Sequence, residues 1–443
     1  MGLVVAATRR AAQVAGLPDT GMPRSRVLAR ALLAAHMVQK ALQESRGPAR
    51  WPLVLQRLAA EGLLFELTRR HLGWDTLLRG PHGFFPHIFL PDYHGPHFDE
   101  ALQRLVFPKR GPNILYFSLT GACPCRCDYC FADAGGEDSP DLGDERVLRV
   151  AEEVAAQRIP LVNISGGEPL SRYRRLVDTV RVVSRGSEVR MFTTGIGLTD
   201  DRLAELADAG LRGVFVSLDG PNRDVFDRLR KKSGAFDAAV AALERCARAD
   251  MLTFINCVVG ASRFPRARDV ADFLRFVEGI DSRIVVNFLP QLSTGRGASA
   301  DSFADPEDCK VVAERITSTA GRMGRPFAML FGDVDHFLGC PGAGGKLLNV
   351  DIEGNVTVCI SRASLGNLLE ESFTDIYGRF VESCHRLKVG FFCCEVSREH
   401  DEALLDPAAT ERALRSFYAR TPDSELQRTL DRLDWLLSRL VPA

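Results

Sequence analysis

The chain has 443 residues, 46% of them hydrophobic, and sets 56 basic against 57 acidic side chains for a formal charge of −1. That length and apolar content can bury a large core in two or three domains, which excludes a disordered or fibrous chain. The balanced charge gives no global attraction to nucleic acid, and no apolar run approaches the length of a membrane span.

The first ten residues, Met1 to Arg10, carry an apolar run too short for a secretory signal, with the arginines on the wrong side of it, so a cytoplasmic protein is expected. Arg24–Leu42 and Trp51–Leu72 place Arg on one side and Leu, Val, Ala and Met on the other at helical spacing. They read as a helical cap packed on the downstream domain, with membrane-surface or partner docking as the alternative. A Pro- and Gly-punctuated stretch then holds His82, His87, His94 and His97 without the ligand spacing of a zinc site. It is a linker or, because functional residues favour loops, a substrate contact.

Runs of apolar and β-branched residues at Ile114–Leu119, Leu161–Ile164, Val189–Phe192, Val214–Leu218, Leu252–Val259 and Ile284–Leu289 mark six strands. Helical periods lie between them at Asp144–Ala156, Asp200–Ala209, Ala235–Ala249 and Ala267–Val277. This alternation predicts parallel βα units with right-handed crossovers, and hence an α/β fold.

Cys123, Cys127 and Cys130 come after the first strand in the order Cys-x3-Cys-x2-Cys, with Tyr129 just before the last thiol. Three thiolates spaced so tightly point to iron: a 4Fe-4S cube takes four ligands, so three leave one iron open. Zinc prefers a closed set of four N or S ligands, and disulfides need an oxidising compartment. The neighbouring Cys125 reads as a bystander. The second strand run ends in Gly166-Gly167-Glu168-Pro169, where glycines let backbone approach a ligand. Thr194 and Ser217 stand near the ends of the next two runs, and helix capping is the competing role for their hydroxyls.

Beyond the sixth strand, Arg296, Asp333 and Asp335 are candidates for a base or polar substrate contact. Cys340-x13-Gly354-x4-Cys359 encloses alternating Leu348, Val350, Ile352 and Val356, Val358 about Glu353-Gly354-Asn355, which predicts a β-hairpin with a left-handed turn residue. Further thiols stand at Cys384, Cys393 and Cys394. These five thiols suffice for one 4Fe-4S cube but not for two fully protein-ligated ones. Unrelated buried thiols are the competing reading, and the one given to Cys246, Cys257 and Cys309. Ala408–Leu440 is helical in pattern.

From Cys123 to Ser217 the motifs resemble those of the radical S-adenosylmethionine (SAM) enzymes. The resemblance implies a partial (β/α)6 TIM-like barrel with its chemistry at the C-terminal strand ends. It implies a cluster on Cys123, Cys127 and Cys130 that binds SAM and cleaves it to a 5′-deoxyadenosyl radical, which abstracts hydrogen from a small-molecule or peptide substrate. Tyr129, Gly166, Gly167, Glu168, Thr194 and Ser217 become the cofactor-binding set, with the Glu168 carboxylate facing the SAM amino group and Thr194 and Ser217 its ribose and carboxylate. An electron donor of flavodoxin or ferredoxin type is implied. The C-terminal hairpin resembles the opening of SPASM and Twitch extensions. It implies one auxiliary 4Fe-4S cluster on Cys340, Cys359 and two of Cys384, Cys393 and Cys394. Adjacent Cys393-Cys394 departs from the spaced pair of a full SPASM domain, and Ile360 stands where relatives that oxidise a sulfatase residue have Asp. The expected organisation is a helical cap over 1–108, the barrel over 109–325, the auxiliary-cluster domain over 326–400 and a helical tail over 401–443. A non-catalytic iron-sulfur carrier is the alternative, although an electron carrier needs no open iron.

Overall fold

The computed structural model describes residues 78–80, 83–85, 90–92, 95–106, 111–135, 139, 141–260, 262–291, 295–299, 306–325, 327–329, 347–358 and 364–384. Segments 24–42, 51–72 and 408–440 lie outside them, as do His82, His87, His94, Asp333, Asp335, Cys340, Cys359, Cys393 and Cys394.

A small antiparallel pair, β1 (Leu78–Gly80) with β2 (Gly83–Phe85), and helix α1 (Phe98–Val106) precede the main sheet. The six expected strands all form: β3 (Ile114–Ser118), β4 (Leu161–Ser165), β5 (Glu188–Thr193), β6 (Leu211–Ser217), β7 (Leu252–Val259) and β8 (Val285–Pro290). A short β9 (Phe327–Met329) comes next. These strands pair in sequence order and all in parallel. The crossovers run through α2 (Asp144–Ala156), α3 (Tyr173–Val183), α4 (Asp200–Ala209), α5 (Arg223–Arg230), α6 (Ala235–Arg248), α7 (Ala267–Ile280) and α8 (Pro306–Met323). Because each step advances in the same direction, right-handed crossovers bring the helices to one face, which is the winding of a TIM-like barrel segment.

Alternation along the strands separates two surfaces. Leu115, Phe117, Val162, Ile164, Val189, Met191, Val214 and Val216 join the helix side chains in one large core. The opposite face carries an aromatic rung: Phe192, Phe215 and Phe254 are register partners and stack at centroid distances of 4.3 Å, with Tyr116 at 5.6 Å from Phe192. Two residues nearer the C-terminal strand ends, Ser217, Asn256 and Asn287 form a polar rung, and the Asn287 amide donates to Asn256 Oδ1 at 2.9 Å.

The expected hairpin is β10 (Leu347–Val350) with β11 (Asn355–Val358), turning at Gly354 with φ of 86°. Ile352 falls in the turn. Strand β10 pairs in parallel with β3, and β12 (Ser364–Asn367) adds antiparallel to β11, giving ten strands in the order β12-β11-β10-β3-β4-β5-β6-β7-β8-β9. The last described helix, α9 (Phe373–Cys384), buries Phe373, Ile376, Tyr377 and Phe380 in the same core as the barrel strands. The described part of the C-terminal extension therefore shares the sheet and the core of the βα units.

At the other end of the strands, Arg190 is fully buried beneath the aromatic rung, its guanidinium 5.4 Å from the Phe254 ring. Its Nη2 lies 2.6 Å from Glu188 Oε1 and donates to Leu90 O at 2.8 Å, while Glu188 Oε2 accepts from Asp92 N–H at 2.7 Å. Residues 90–92 are thus tied to the sheet through a buried ion pair. Glu188→Ala removes the buried carboxylate 2.6 Å from that guanidinium and should cost about 3–5 kcal/mol, read as a lowered urea midpoint, whereas Glu188→Leu with Arg190→Met should lose far less because both members of the buried pair are replaced by apolar groups.

Candidate functional site at the cysteine loop

The loop after β3 runs from Leu119 to Gly143 and carries the three motif thiols. Cys125, Cys127 and Tyr129 are buried together, with Cys123, Cys130, Ile196, Leu229 and Val258 packed against them. The Cys125 thiol reaches both Cys123 and Cys127. Its hydrogen bond lowers the Cys123 thiol, and, with Arg230 adding to it against burial, brings Cys127 down to about 6. Burial pushes Cys130 up. Among the described residues no group of three His, Cys, Asp or Glu closes around a single metal ion. An iron-sulfur cube spreads its ligands more widely than one ion does, and three cysteines in a thiol-lined apolar niche are the donor set it takes.

Two segments outside the loop hold it, and Asp141 within it ties it down further. Gly167 N–H donates to Thr120 O at 2.6 Å and Glu168 N–H to Ala122 O at 2.8 Å. A Cβ on Gly167 would lie 2.3 Å from Ala122 O, and one on Gly166, at φ of 125°, 2.6 Å from Thr120 O. The two glycines are therefore required by the approach of the cysteine loop itself. From the far side, Gly295 in the short 3-10 helix Gly295–Ser299 would meet Cys130 O at 2.5 Å if it bore a Cβ. Beside it Arg296 donates from Nε to Cys127 O at 2.8 Å and from Nη2 to Ala134 O at 2.6 Å, and pairs with Asp133 at 2.6 Å. Arg296, expected to touch substrate, is instead committed to holding the cysteine loop. Asp141 closes the third side, accepting from the Thr120 hydroxyl at 2.8 Å and pairing with Arg175 at 2.9 Å.

Glu168 also departs from expectation. Its side chain is buried, and its carboxylate accepts four protein hydrogen bonds: Oε1 from Leu170 N–H at 3.1 Å and the Thr193 hydroxyl at 2.8 Å, Oε2 from Thr194 N–H and the Thr194 hydroxyl, both at 2.6 Å. A carboxylate has about four acceptor positions, so none remains for a SAM amino group. Burial outweighs these donors and raises the carboxyl above its usual range. Thr194 is occupied by the same contact, and the cap of α4 is Thr199, whose side chain accepts from Arg202 N–H at 3.2 Å. Ser217 differs: it is half-buried on the polar rung, and among the described residues no hydrogen bond engages its hydroxyl.

Sequence reasoning missed the charged group behind the thiols. Asp219, two residues past the end of β6, accepts from Val258 N–H at 2.8 Å, from Arg230 Nη2 at 2.8 Å and from the Tyr129 hydroxyl. Arg263 stands 3.7 Å from the same carboxylate. Burial alone would raise Asp219, but Arg230 and Arg263 outweigh it and hold the carboxyl below its usual range. The Ser217-Leu218-Asp219-Gly220 turn could have flagged Asp219, yet nothing local to Arg230 or Arg263 announces that they converge on it.

Residues 117–274 match the Radical SAM superfamily model. The mycofactocin maturase MftC of Mycolicibacterium smegmatis is 36% identical over 156 residues, which are 34% of this chain and 39% of that protein. The PqqA peptide cyclase of Ruegeria pomeroyi is 28% identical over 347 residues, 70% of this chain and 88% of that one. In fold, the chain is similar to SuiB of Streptococcus suis bound to S-adenosylmethionine, with a TM-score of 0.53 at 14% identity over 68% of this chain and 78% of that one. No described helix is long and apolar enough to cross a membrane.

The internal use of Glu168 has a measurable consequence. Glu168→Gln places an amide NH2 against at least one of the four donors, so it should destabilise the fold by about 1–3 kcal/mol, seen as a lower thermal midpoint of the protein without added SAM. An unchanged midpoint would mean that the carboxylate is not the tie between β4 and β5. Over residues 117–274, the chain is similar to the Radical SAM superfamily of enzymes.

Proposed function

We propose that the chain binds a 4Fe-4S cluster on Cys123, Cys127 and Cys130, cleaves SAM reductively and abstracts hydrogen from a peptide substrate. The observation that carries this reading is the placement of three motif thiols in one buried loop at the C-terminal ends of parallel strands, where chemistry sits in TIM-like folds. A cluster bound there supplies the electron that breaks a carbon-sulfur bond of SAM. The chain's own contribution is geometric. Gly166, Gly167, Gly295 and Arg296 fix the loop, Ile196, Leu229 and Val258 keep water from the thiols, and Ser217 keeps a hydroxyl for the nucleoside or carboxylate of SAM.

The peptide as substrate class rests on the alignment with a PqqA peptide cyclase, which spans most of both chains. A mycofactocin maturase among the relatives accords with a modifying role. The polar rung Ser217, Asn256 and Asn287 suits an amide-rich ligand, because the Asn287 Oδ1 is buried without a partner among the described residues. An auxiliary 4Fe-4S cluster on Cys340, Cys359 and two of Cys384, Cys393 and Cys394 completes the proposal, with a flavodoxin- or ferredoxin-type protein as electron donor.

Anaerobically reconstituted protein should hold about eight iron and eight sulfide per chain if both clusters are present and about four of each if only the loop cluster is. Changing Cys123, Cys127 and Cys130 together to Ala should remove about half of the iron and abolish 5′-deoxyadenosine formation from SAM under dithionite. Persistence of 5′-deoxyadenosine in that variant would overturn the assignment, and zinc without sulfide in the parent would overturn the cluster reading altogether.

A further inference from the structure

Behind the cysteine loop the guanidinium of Arg230 bridges two partners. Nη2 donates to Asp219 Oδ2 at 2.8 Å, and Nη1 donates to Cys127 Sγ at 3.7 Å. The side chain is only 7% exposed and its guanidinium packs against the rings of Phe226 and Tyr129, at 4.9 and 5.4 Å from their centroids. We propose that Arg230 is a positioning residue that hydrogen-bonds the Cys127 thiolate and raises the reduction potential of the cluster this thiol helps to hold. The proposal rests on the cluster reading above and adds a residue, and an electronic role, to it.

Three features support this. Asp219 fixes the guanidinium from the rear, so the planar fork of Arg230 aims its other edge at the sulfur, a geometry that lysine cannot reproduce. The charge is also not cancelled: Asp219 brings one negative charge against Arg230 and Arg263, leaving a net positive charge beside the loop in a site buried from water, where screening is weak. Reduction adds a negative charge to an iron-sulfur cluster, and hydrogen bonds to its sulfurs together with nearby charge set the potential, so a cation here favours the reduced state. Tyr129 completes the arrangement. Its hydroxyl donates to Asp219 while its ring packs against the guanidinium groups of Arg230 and Arg263, the latter at 5.2 Å. The aromatic before the last thiol thus links the cysteine loop to the charged group behind it.

The test is an EPR-monitored redox titration of reconstituted parent, Arg230→Gln and Arg230→Lys. It tracks the signal that disappears in the Cys123→Ala/Cys127→Ala/Cys130→Ala chain. Both variants, at iron and sulfide contents equal to the parent's, should titrate at lower potential, with Arg230→Gln shifted further than Arg230→Lys. Should Arg230→Gln fail to fold because Asp219 loses its partner, the Arg230→Lys titration decides. A fully loaded variant with the parental midpoint overturns the inference, and a lowered melting temperature without a change in potential shows that Arg230 is purely structural. A parent that binds no cluster overturns the underlying functional reading instead.

Discussion

The site depends on how closely backbone can approach the cysteine loop. At Gly166, Gly167 and Gly295 a Cβ would stand 2.6, 2.3 and 2.5 Å from loop carbonyl oxygens, distances at which something must move. Because main-chain oxygens cannot rotate away as a side chain can, each position selects glycine. The result is a loop held on two sides by main-chain contacts from β4 and from the segment after β8, elements more than a hundred residues apart in sequence. Three thiols therefore keep a fixed spacing without a regular element of their own, which is what a multi-atom cofactor demands of its ligands.

Two buried carboxylates flank this loop and differ in kind. Glu168 is surrounded by neutral donors, two hydroxyls and two backbone N–H groups, and burial raises it. Asp219 faces two guanidinium groups and is lowered despite its burial. The first ties the Gly-Gly turn of β4 to the end of β5. The second gathers cations behind Cys127. Equal chemistry at two strand ends thus does separate work, because the partners decide which protonation state folding favours.

How much the sequence could disclose depends on how local each signal is. Helices α2 and α4 are readable to the residue, since Ala, Leu and Glu at helical spacing, closed in α4 by Thr199 and Gly210, need no distant information. Strand β6 begins three residues before the apolar run suggested, at Leu211, because pairing with β5 extends it through Arg212 and Gly213. The β10–β11 hairpin was legible from its alternation and its Gly354 turn, but its parallel union with β3 was not, since the partner lies more than two hundred residues away. The same limit explains the site. Cys123, Cys127 and Cys130 announced themselves by spacing, whereas Arg296 and Glu168 looked like groups awaiting a ligand until the structure supplied their internal partners.

The union of β10 with β3 bears directly on the cysteine loop. Strand β3 is the first of the sequentially wound strands and runs straight into the loop, so without a neighbour on its outer side it would be an edge, with half its backbone groups unpaired and free to shift. Pairing of Leu347–Val350 with Ile114–Phe117 closes that side, and α9 reinforces it where Phe373 N–H donates to Glu153 of α2 at 2.9 Å. The C-terminal extension is thereby part of what sets the loop's position, whatever else its cysteines hold. Loosening β10 should be felt at Cys123 through β3 and Leu119, whose N–H donates to Ser165 O at 2.8 Å just before the Gly-Gly turn.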